Sequence, residues 1–297
     1  MKKLIPSIGL LIVLSLPVVV SAQQNALRQK IEQITKPLKG IVGVSVLGLE
    51  SRDTLSYNGN ARLVLQSVMK FPIALAVLHK VDSLKLSLDQ PNIRISKRDF
   101  LKNSTSALHQ KYPKGGEVSL NELLTDMISV SDNDACDILL REVAGPKTVQ
   151  NFMLKLGIRG IAVRASEADM AASWELQFTN WCKPVEMTRL LDMFYKGDIL
   201  TKNSTEYLYK LMTETSTGQK RIKGLLPSGT VVAHKTGTSG TNAEGLTPAT
   251  NDVGIITLLN GKHLAISVFV CNSTDDEAAR ESVIAKIAKA AFDVYSR

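Results

Sequence analysis

The chain has 297 residues and a formal net charge of +8; 44% of its residues are hydrophobic, 22% charged and 5% aromatic. That balance is ordinary for a folded globular protein and argues against a disordered chain, a collagen-like repeat or a disulfide scaffold. The length allows one large domain or two moderate ones, either able to build a core without metal or disulfide staples.

Residues 1–22 read as a cleaved export signal. Met1-Lys2-Lys3 is basic, the chain is largely apolar from Leu4 to Val20, and small Ser21 and Ala22 precede the polar Gln23. The alternative, a membrane anchor, is disfavoured because the apolar run falls short of the ~20 residues a span needs. The mature chain is therefore expected to start near Gln23 with no membrane attachment, and loss of Lys2 and Lys3 lowers the net charge from +8 to +6. Only three cysteines follow, Cys136, Cys182 and Cys271. No C-x-x-C, no metal-type His/Cys spacing and no H-E-x-x-H is present, so three buried thiols, no disulfide and no metal are expected.

Residues 26–38 carry apolar side chains at helical spacing (Ala26, Ile31, Ile34, Leu38), and Pro37 marks the end. Residues 40–49 include Ile41-Val42-Gly43-Val44-Ser45-Val46 and read as a buried strand, with 53–57 as its hairpin partner. Residues 68–84 are apolar at helix spacing, and Pro72 is tolerable only near the first turn. Ser119 and Glu122 form a capping-box signature that opens a helix toward Met127. Asp132 caps the next helix, which is expected to stop at Gly145. Pro146 starts another that ends at Gly157, and Pro184 and Gly197 repeat that punctuation. The stretch between Gly157 and Pro184 lacks periodicity and predicts a long functional or mobile loop. Strands return at 230–234, 253–259 and 264–270. Asn260-Gly261 predicts a two-residue hairpin turn with φ > 0 at both positions. Residues 275–296 read as an amphipathic helix with Asp275, Asp276 and Glu277 at its positive end.

Strands at both ends of the chain thus enclose a helical block. The expected fold is α/β plus all-α: an antiparallel sheet flanked by N- and C-terminal helices, with an inserted helical domain. The expected limits are 23–61 with 214–297 for the discontinuous α/β part and 62–213 for the all-α part, the long loop lying near 158–183.

Three short motifs carry the chemistry. Ser67-Val68-Met69-Lys70 places a serine and a lysine on one face at a helix start, where free N–H groups stabilise an oxyanion. A lysine one turn on can activate the serine or hold a proton relay. Alone the pattern is weak, since about one Ser-x-x-Lys is expected by chance in such a chain. Ser131-Asp132-Asn133 offers a proton shuttle and an amide contact, although Asp132 also reads as a plain helix cap. Lys235-Thr236-Gly237 ends a predicted strand, where a lysine and a hydroxyl can grip a carboxylate; the bland reading is an edge-strand lysine.

In combination and in this order, the three motifs resemble those of the class A serine β-lactamases, over essentially the whole mature chain. The resemblance implies the α/β plus all-α fold and a hydrolase that opens the β-lactam ring and confers resistance. It implies Ser67 as nucleophile, Lys70 in proton transfer and Ser131 passing a proton to the ring nitrogen. It implies Asn133 binding the substrate side-chain amide, and Lys235 and Thr236 holding the substrate carboxylate beside Gly237. Backbone N–H groups of Ser67 and Thr238 would form the oxyanion hole. Arg221 resembles an arginine supporting the carboxylate site in part of the family; a solvated basic helix end at 220–223 is the equal alternative. The implied enzyme is an exported, periplasmic monomer with a small-molecule β-lactam substrate, no cofactor and no nucleic-acid partner.

Deacylation needs a general base. The long loop offers Glu167, Asp169 and Glu175, and position relative to the motifs favours Glu167. This loop departs from the family's Glu-Pro-x-x-Asn: it reads Glu167-Ala168-Asp169-Met170-Ala171, with neither the proline nor the asparagine. Asp137 stands where many members have a second asparagine. These departures resemble a divergent, cephalosporinase-like branch with extended-spectrum members. Gln66 and Ser239 stand where many carbapenemases pair cysteines, which argues against carbapenem hydrolysis. The competing readings are a D,D-peptidase or transpeptidase of the penicillin-binding type and a non-catalytic β-lactam sensor. Glu167 argues against the first. The lack of a membrane-coupled signalling segment in the sequence argues against the second.

Overall fold

The computed structural model describes residues 16–102 and 106–297. Residues 1–15, most of the expected export signal, lie outside the described residues. No described helix is long and apolar enough to cross a membrane.

The chain begins with α1 (Leu16–Thr35), β1 (Ile41–Gly48), β2 (Thr54–Tyr57) and the short β3 (Leu63–Val64). A 3-10 turn, Gln66–Met69, leads into α2 (Lys70–Leu84). Phe71, Ile73, Leu75, Val77 and Leu78 of α2 are all fully buried, so this helix is apolar around its circumference and forms the axis of the larger core. Then come β4 (Ile93–Ile95), α3 (Ala107–Lys111), β5 (Gly116–Val118), α4 (Leu120–Ser129), α5 (Asn133–Glu142) and α6 (Pro146–Lys155). The Ser119–Glu122 capping box and the Asp132 cap form as the side chains dictate. Helix α5 ends at Glu142, three residues before Gly145, which instead precedes Pro146 at the start of α6.

The region between Gly157 and Pro184 is more ordered than its missing periodicity suggests. It folds into β6 (Ile161–Ala162), α7 (Glu167–Ala172), a 3-10 segment Trp174–Thr179 and β7 (Trp181–Cys182). Each piece is too short to show a period. Side-chain contacts hold them: Ser166 and Asp169 form a capping box on α7, and β7 pairs with both β3 and β6. No peptide bond among the described residues is cis.

After α8 (Pro184–Tyr195) and α9 (Lys202–Thr213), a 3-10 segment Ile222–Leu225 precedes β8 (Val232–Thr238), β9 (Thr247–Thr257), β10 (His263–Ser273) and α10 (Glu277–Tyr295). Strand β8 runs four residues past the expected end at His234 and carries the whole Lys-Thr-Gly motif. Strand β9 begins six residues before Val253, because Thr247, Thr250, Asn251 and Asp252 are buried and satisfied despite their polarity. The β9–β10 turn also differs from expectation. Only Gly261 has positive φ (76°), while Leu258 N donates to Lys262 O and Gly261 N to Leu258 O. This is a three-residue turn with glycine in the left-handed position. Asn260 instead uses its side chain, accepting from Lys262 N and donating to Tyr295 O.

The sheet order is β2-β1-β10-β9-β8, with all neighbours antiparallel, so strands from both ends of the chain share one sheet. Both faces are covered, which is why β1 and β10 read as continuous apolar runs. Val44, Val268 and Val232 face a smaller core with Leu27, Ile31, Ile287 and Phe292 of α1 and α10. Ala233, Val253 and Phe269 face the larger core with α2 and α8. Each such buried Val, Leu, Ile or Phe side chain stabilises the fold by about 1.5–3 kcal/mol. Cys136, Cys182 and Cys271 are buried free thiols, as expected.

Candidate active site

The 3-10 turn before α2 presents Ser67, half-buried, and one turn later Lys70, which is fully buried. Lys70 Nζ donates to Ser67 Oγ at 3.2 Å, to Ser131 O at 2.7 Å and to Asn133 Oδ1 at 2.5 Å. Three donors thus meet three acceptors. Glu167 Oε1 lies 3.0 Å from the same ammonium, yet takes no well-aligned hydrogen bond. The attraction is ionic, and it leaves that carboxylate oxygen open to another donor.

Ser131 has φ = +62°, the left-handed region that a side chain with a Cβ enters at a cost of roughly 1–2 kcal/mol. Asp132 holds this strained turn from beneath. Its carboxylate accepts from Ala135 N, Ser106 Oγ and Leu108 N, and its own N–H bonds Asp126 O. Ser131 Oγ consequently stands between two lysines, 2.9 Å from Lys235 Nζ and 3.5 Å from Lys70 Nζ. Burial, with Lys70 close by, holds the Lys235 ammonium well below the ordinary lysine range.

The register of β8 decides what the Lys-Thr-Gly motif exposes. Ser239 N bonds Ala249 O and Thr257 N bonds Val231 O, so the odd-numbered residues along β8 make the backbone hydrogen bonds to β9. Strand β8 is the sheet edge. The N–H and C=O groups of His234, Thr236 and Thr238 therefore point off that edge. Thr215 Oγ1 donates to His234 O and Lys235 Nζ donates to Thr236 O. Gly237 packs against the nucleophile turn: a Cβ there would meet Leu65 O at 2.5 Å and Ser67 N at 3.2 Å. Only glycine admits this approach of β8 to the backbone of the Ser67 turn.

Arg221 is 4% exposed, which overturns the solvated-end alternative. Its Nε donates to Glu281, Nη1 to the carbonyls of Gly237 and Asn251, and Nη2 to Thr238 Oγ1. It braces the end of β8 from below, because a planar fork can satisfy all four acceptors at once.

Among the loop acids, Glu167 is buried at 6% exposure, whereas Asp169 caps Ser166 and Glu175 is exposed. Asp137 holds the start of α7: its carboxylate accepts from Glu167 N at 2.8 Å and Ala168 N at 2.7 Å. Burial pushes the Asp137 carboxyl up to about 6. Ala171 is exposed and brings no polar group to the cleft.

Several supporting residues escaped sequence reasoning. Fully buried Asn180 accepts from Arg164 N and Ala165 N and donates to Ala165 O and Met69 Sδ, tying the loop's return limb to its outgoing limb and to the turn that carries Ser67. Asn251 Nδ2 donates to the carbonyls of Val64 and Leu65. Gln177 accepts from Gln66. His234, an isolated histidine in the sequence, forms a buried pair with Asp252 at 2.9 Å. Asn, Gln and His bonds across 15 to 187 residues leave no local spacing to read.

The model of the beta-lactamase enzyme family matches residues 26–295. Beta-lactamase VEB-1 of Pseudomonas aeruginosa is 41% identical over 277 residues, 93% of this chain and 92% of the relative. The crystal structure of TLA-3 extended-spectrum beta-lactamase superposes with a TM-score of 0.90 at 46% identity, covering 92% of this chain and 100% of that one. A class A beta-lactamase from Bacteroides cellulosilyticus gives 0.88 at 36% identity, over 92% and 98% of the two chains. With three motifs gathered in one cleft and likeness along nearly the whole described chain, this protein belongs to the beta-lactamase enzyme family, in its class A branch.

Proposed function

We propose that this chain hydrolyses β-lactam antibiotics through an acyl-enzyme on Ser67. The supporting observation is one buried cluster: Lys70 Nζ stands 3.2 Å from Ser67 Oγ and 3.0 Å from Glu167 Oε1. A nucleophile and a separate carboxylate flanking one lysine suit turnover, whereas a peptidase or a sensor needs only the nucleophile side. In acylation Ser67 Oγ attacks the ring carbonyl and its proton passes to the Lys70–Glu167 cluster. The developing oxyanion takes the N–H groups of Ser67 and Thr238. The ring C–N bond breaks, and the nitrogen receives a proton from Ser131, which regains through Lys70 the proton that Ser67 gave up. Lys235 and Thr236 grip the substrate carboxylate, braced by Arg221, and Asn133 meets the side-chain amide. In deacylation Glu167 takes a proton from water as it attacks the ester, and Ser67 leaves with a proton restored.

The proteins this chain resembles include enzymes named extended-spectrum, PER-1 at 41% identity and TLA-3 at 46%. That supports cephalosporins and penicillins as the substrate class and antibiotic resistance as the outcome. The basic and apolar start of the sequence supports export to the periplasm, where the chain acts as a monomer. The test is turnover of a chromogenic cephalosporin by purified residues 23–297. Catalytic hydrolysis is expected; stoichiometric acylation without turnover would sink the proposal in favour of a sensor or a peptidase.

A further inference from the structure

The segment after α9 covers the outer edge of β8 only in part. Thr215 Oγ1 donates to His234 O, and Ser216 is anchored through its N–H and hydroxyl to Ser129 O. Between these anchors and Arg221 lies half-buried Thr217, whose Oγ1 is 2.6 Å from Thr236 Oγ1. The approach is enforced by the next residue. Gly218 has φ = +67°, and a Cβ on it would meet Thr236 Cγ2 at 2.4 Å. Beyond Thr217 the edge is open at Thr238.

One hydrogen lies between the two hydroxyls, so its direction matters. A hydroxyl carries one hydrogen and two lone pairs, while an ionised carboxylate only accepts. Thr236 can give its hydrogen to a substrate carboxylate only if the hydrogen shared with Thr217 comes from Thr217. Lys235 Nζ, already donating to Ser131 Oγ and Thr236 O, has one hydrogen left for the same carboxylate.

We propose that Thr217 is a positioning residue for the carboxylate site, donating to Thr236 Oγ1 so that the Thr236 hydrogen is free for substrate. This rests on the proposed role of Lys235 and Thr236. Thr217 also fixes the Thr236 rotamer, since a hydroxyl accepting at 2.6 Å cannot swing without losing that bond.

The experiment compares wild type, Thr217→Val and Thr217→Ser on a chromogenic cephalosporin as the free acid and as its C4 methyl ester. Thr217→Val keeps the shape and removes the donor. For the acid, its KM is expected to rise about fivefold with kcat within about twofold, the loss of one neutral hydrogen bond. Its kcat/KM on the ester is expected to match wild type, and Thr217→Ser is expected to restore the acid KM. An unchanged acid KM in Thr217→Val, or an equal loss on acid and ester, overturns the assignment while leaving the hydrolase reading intact. Absence of wild-type turnover on the free acid overturns both.

Discussion

The side-chain amide of Gln66 donates to Gln177 Oε1 across 2.7 Å and 111 residues of chain, inside the protein. Gln66 immediately precedes Ser67 and sits at φ = +48°, so its backbone is strained where the Ser67 N–H is aimed. Gln177 in turn donates to Trp174 O on the loop that carries Glu167. The bridge therefore couples the turn that carries Ser67 to the loop that carries Glu167. Gln66→Met and Gln177→Met are each expected to cost about 1–3 kcal/mol of stability, because the remaining buried amide loses its partner. Each should also slow deacylation by about tenfold, as small misplacements of a positioned base do. The double variant should be no worse than the weaker single one. Single-turnover kinetics and thermal unfolding on all four proteins check this; additive losses would show two independent roles.

What could be read beforehand follows from how far each interaction reaches. The three motifs and the helix caps are local, so Ser67 with Lys70, Asp132 and Ser119 with Glu122 announce themselves within four residues. The shared sheet was legible because β1 and β10 are apolar runs that need both faces covered. The loop was not, because Asp137, Asn180 and Gln177 fold it from outside any window in which a period could appear. Arg221 stayed ambiguous for the same reason: its four acceptors come from β8, β9 and α10, and a basic run by itself looks the same solvated or buried.

Asp137 carries a pH dependence whose stability and activity effects run in opposite directions. Its carboxyl, ordinarily near 3.8, is pushed up to about 6 by burial, with the neighbouring Glu167 charge adding to that and Lys70 opposing it. A raised folded-state value means the proton is held more tightly by the folded chain. Its stabilising contribution is complete below about 3.8 and is lost as pH rises through about 6. Function needs the other form. Two acceptor oxygens serve the N–H groups of Glu167 and Ala168, whereas a protonated carboxyl turns an O–H toward one of them. Deacylation is expected to fall as pH drops through about 6. In Asp137→Asn that limb should disappear and deacylation should be slow at every pH. A wild-type limb retained in the variant would place the titration elsewhere.

Arg221 is expected to separate folding from binding when it is replaced in two ways. Arg221→Ala leaves Glu281 without its charged partner and should destabilise the chain by about 3–5 kcal/mol, the cost of breaking a buried pair. Arg221→Lys keeps the charge but cannot reach Glu281, Gly237 O, Asn251 O and Thr238 Oγ1 together. It should fold, with KM for carboxylate-bearing substrates raised about tenfold through a loosened end of β8. Thermal unfolding and steady-state kinetics on both variants decide. Equal KM in Arg221→Lys and wild type would limit Arg221 to stability.

The three acids of the loop differ in surroundings enough to be told apart by one measurement. Glu167 is buried with one oxygen 3.0 Å from Lys70 Nζ and without a hydrogen-bond donor. Asp169 is committed to Ser166 N and Oγ, and Glu175 faces solvent on the 3-10 segment. Glu167→Gln keeps the shape and the Asp137 contact, which is made by its backbone, and removes the carboxylate charge that faces Lys70 and accepts the water proton. It is expected to acylate on Ser67 and then stall, so that mass spectrometry of the intact protein shows the cephalosporin adduct persisting for minutes. Turnover should fall by at least about a hundredfold, the contribution of a general base. Asp169→Asn loses a cap and should slow deacylation only through the loop, by less than about tenfold. Glu175→Gln should turn over like wild type with no adduct. An adduct that accumulates in Glu175→Gln while Glu167→Gln turns over normally would move the base to the far limb of the loop.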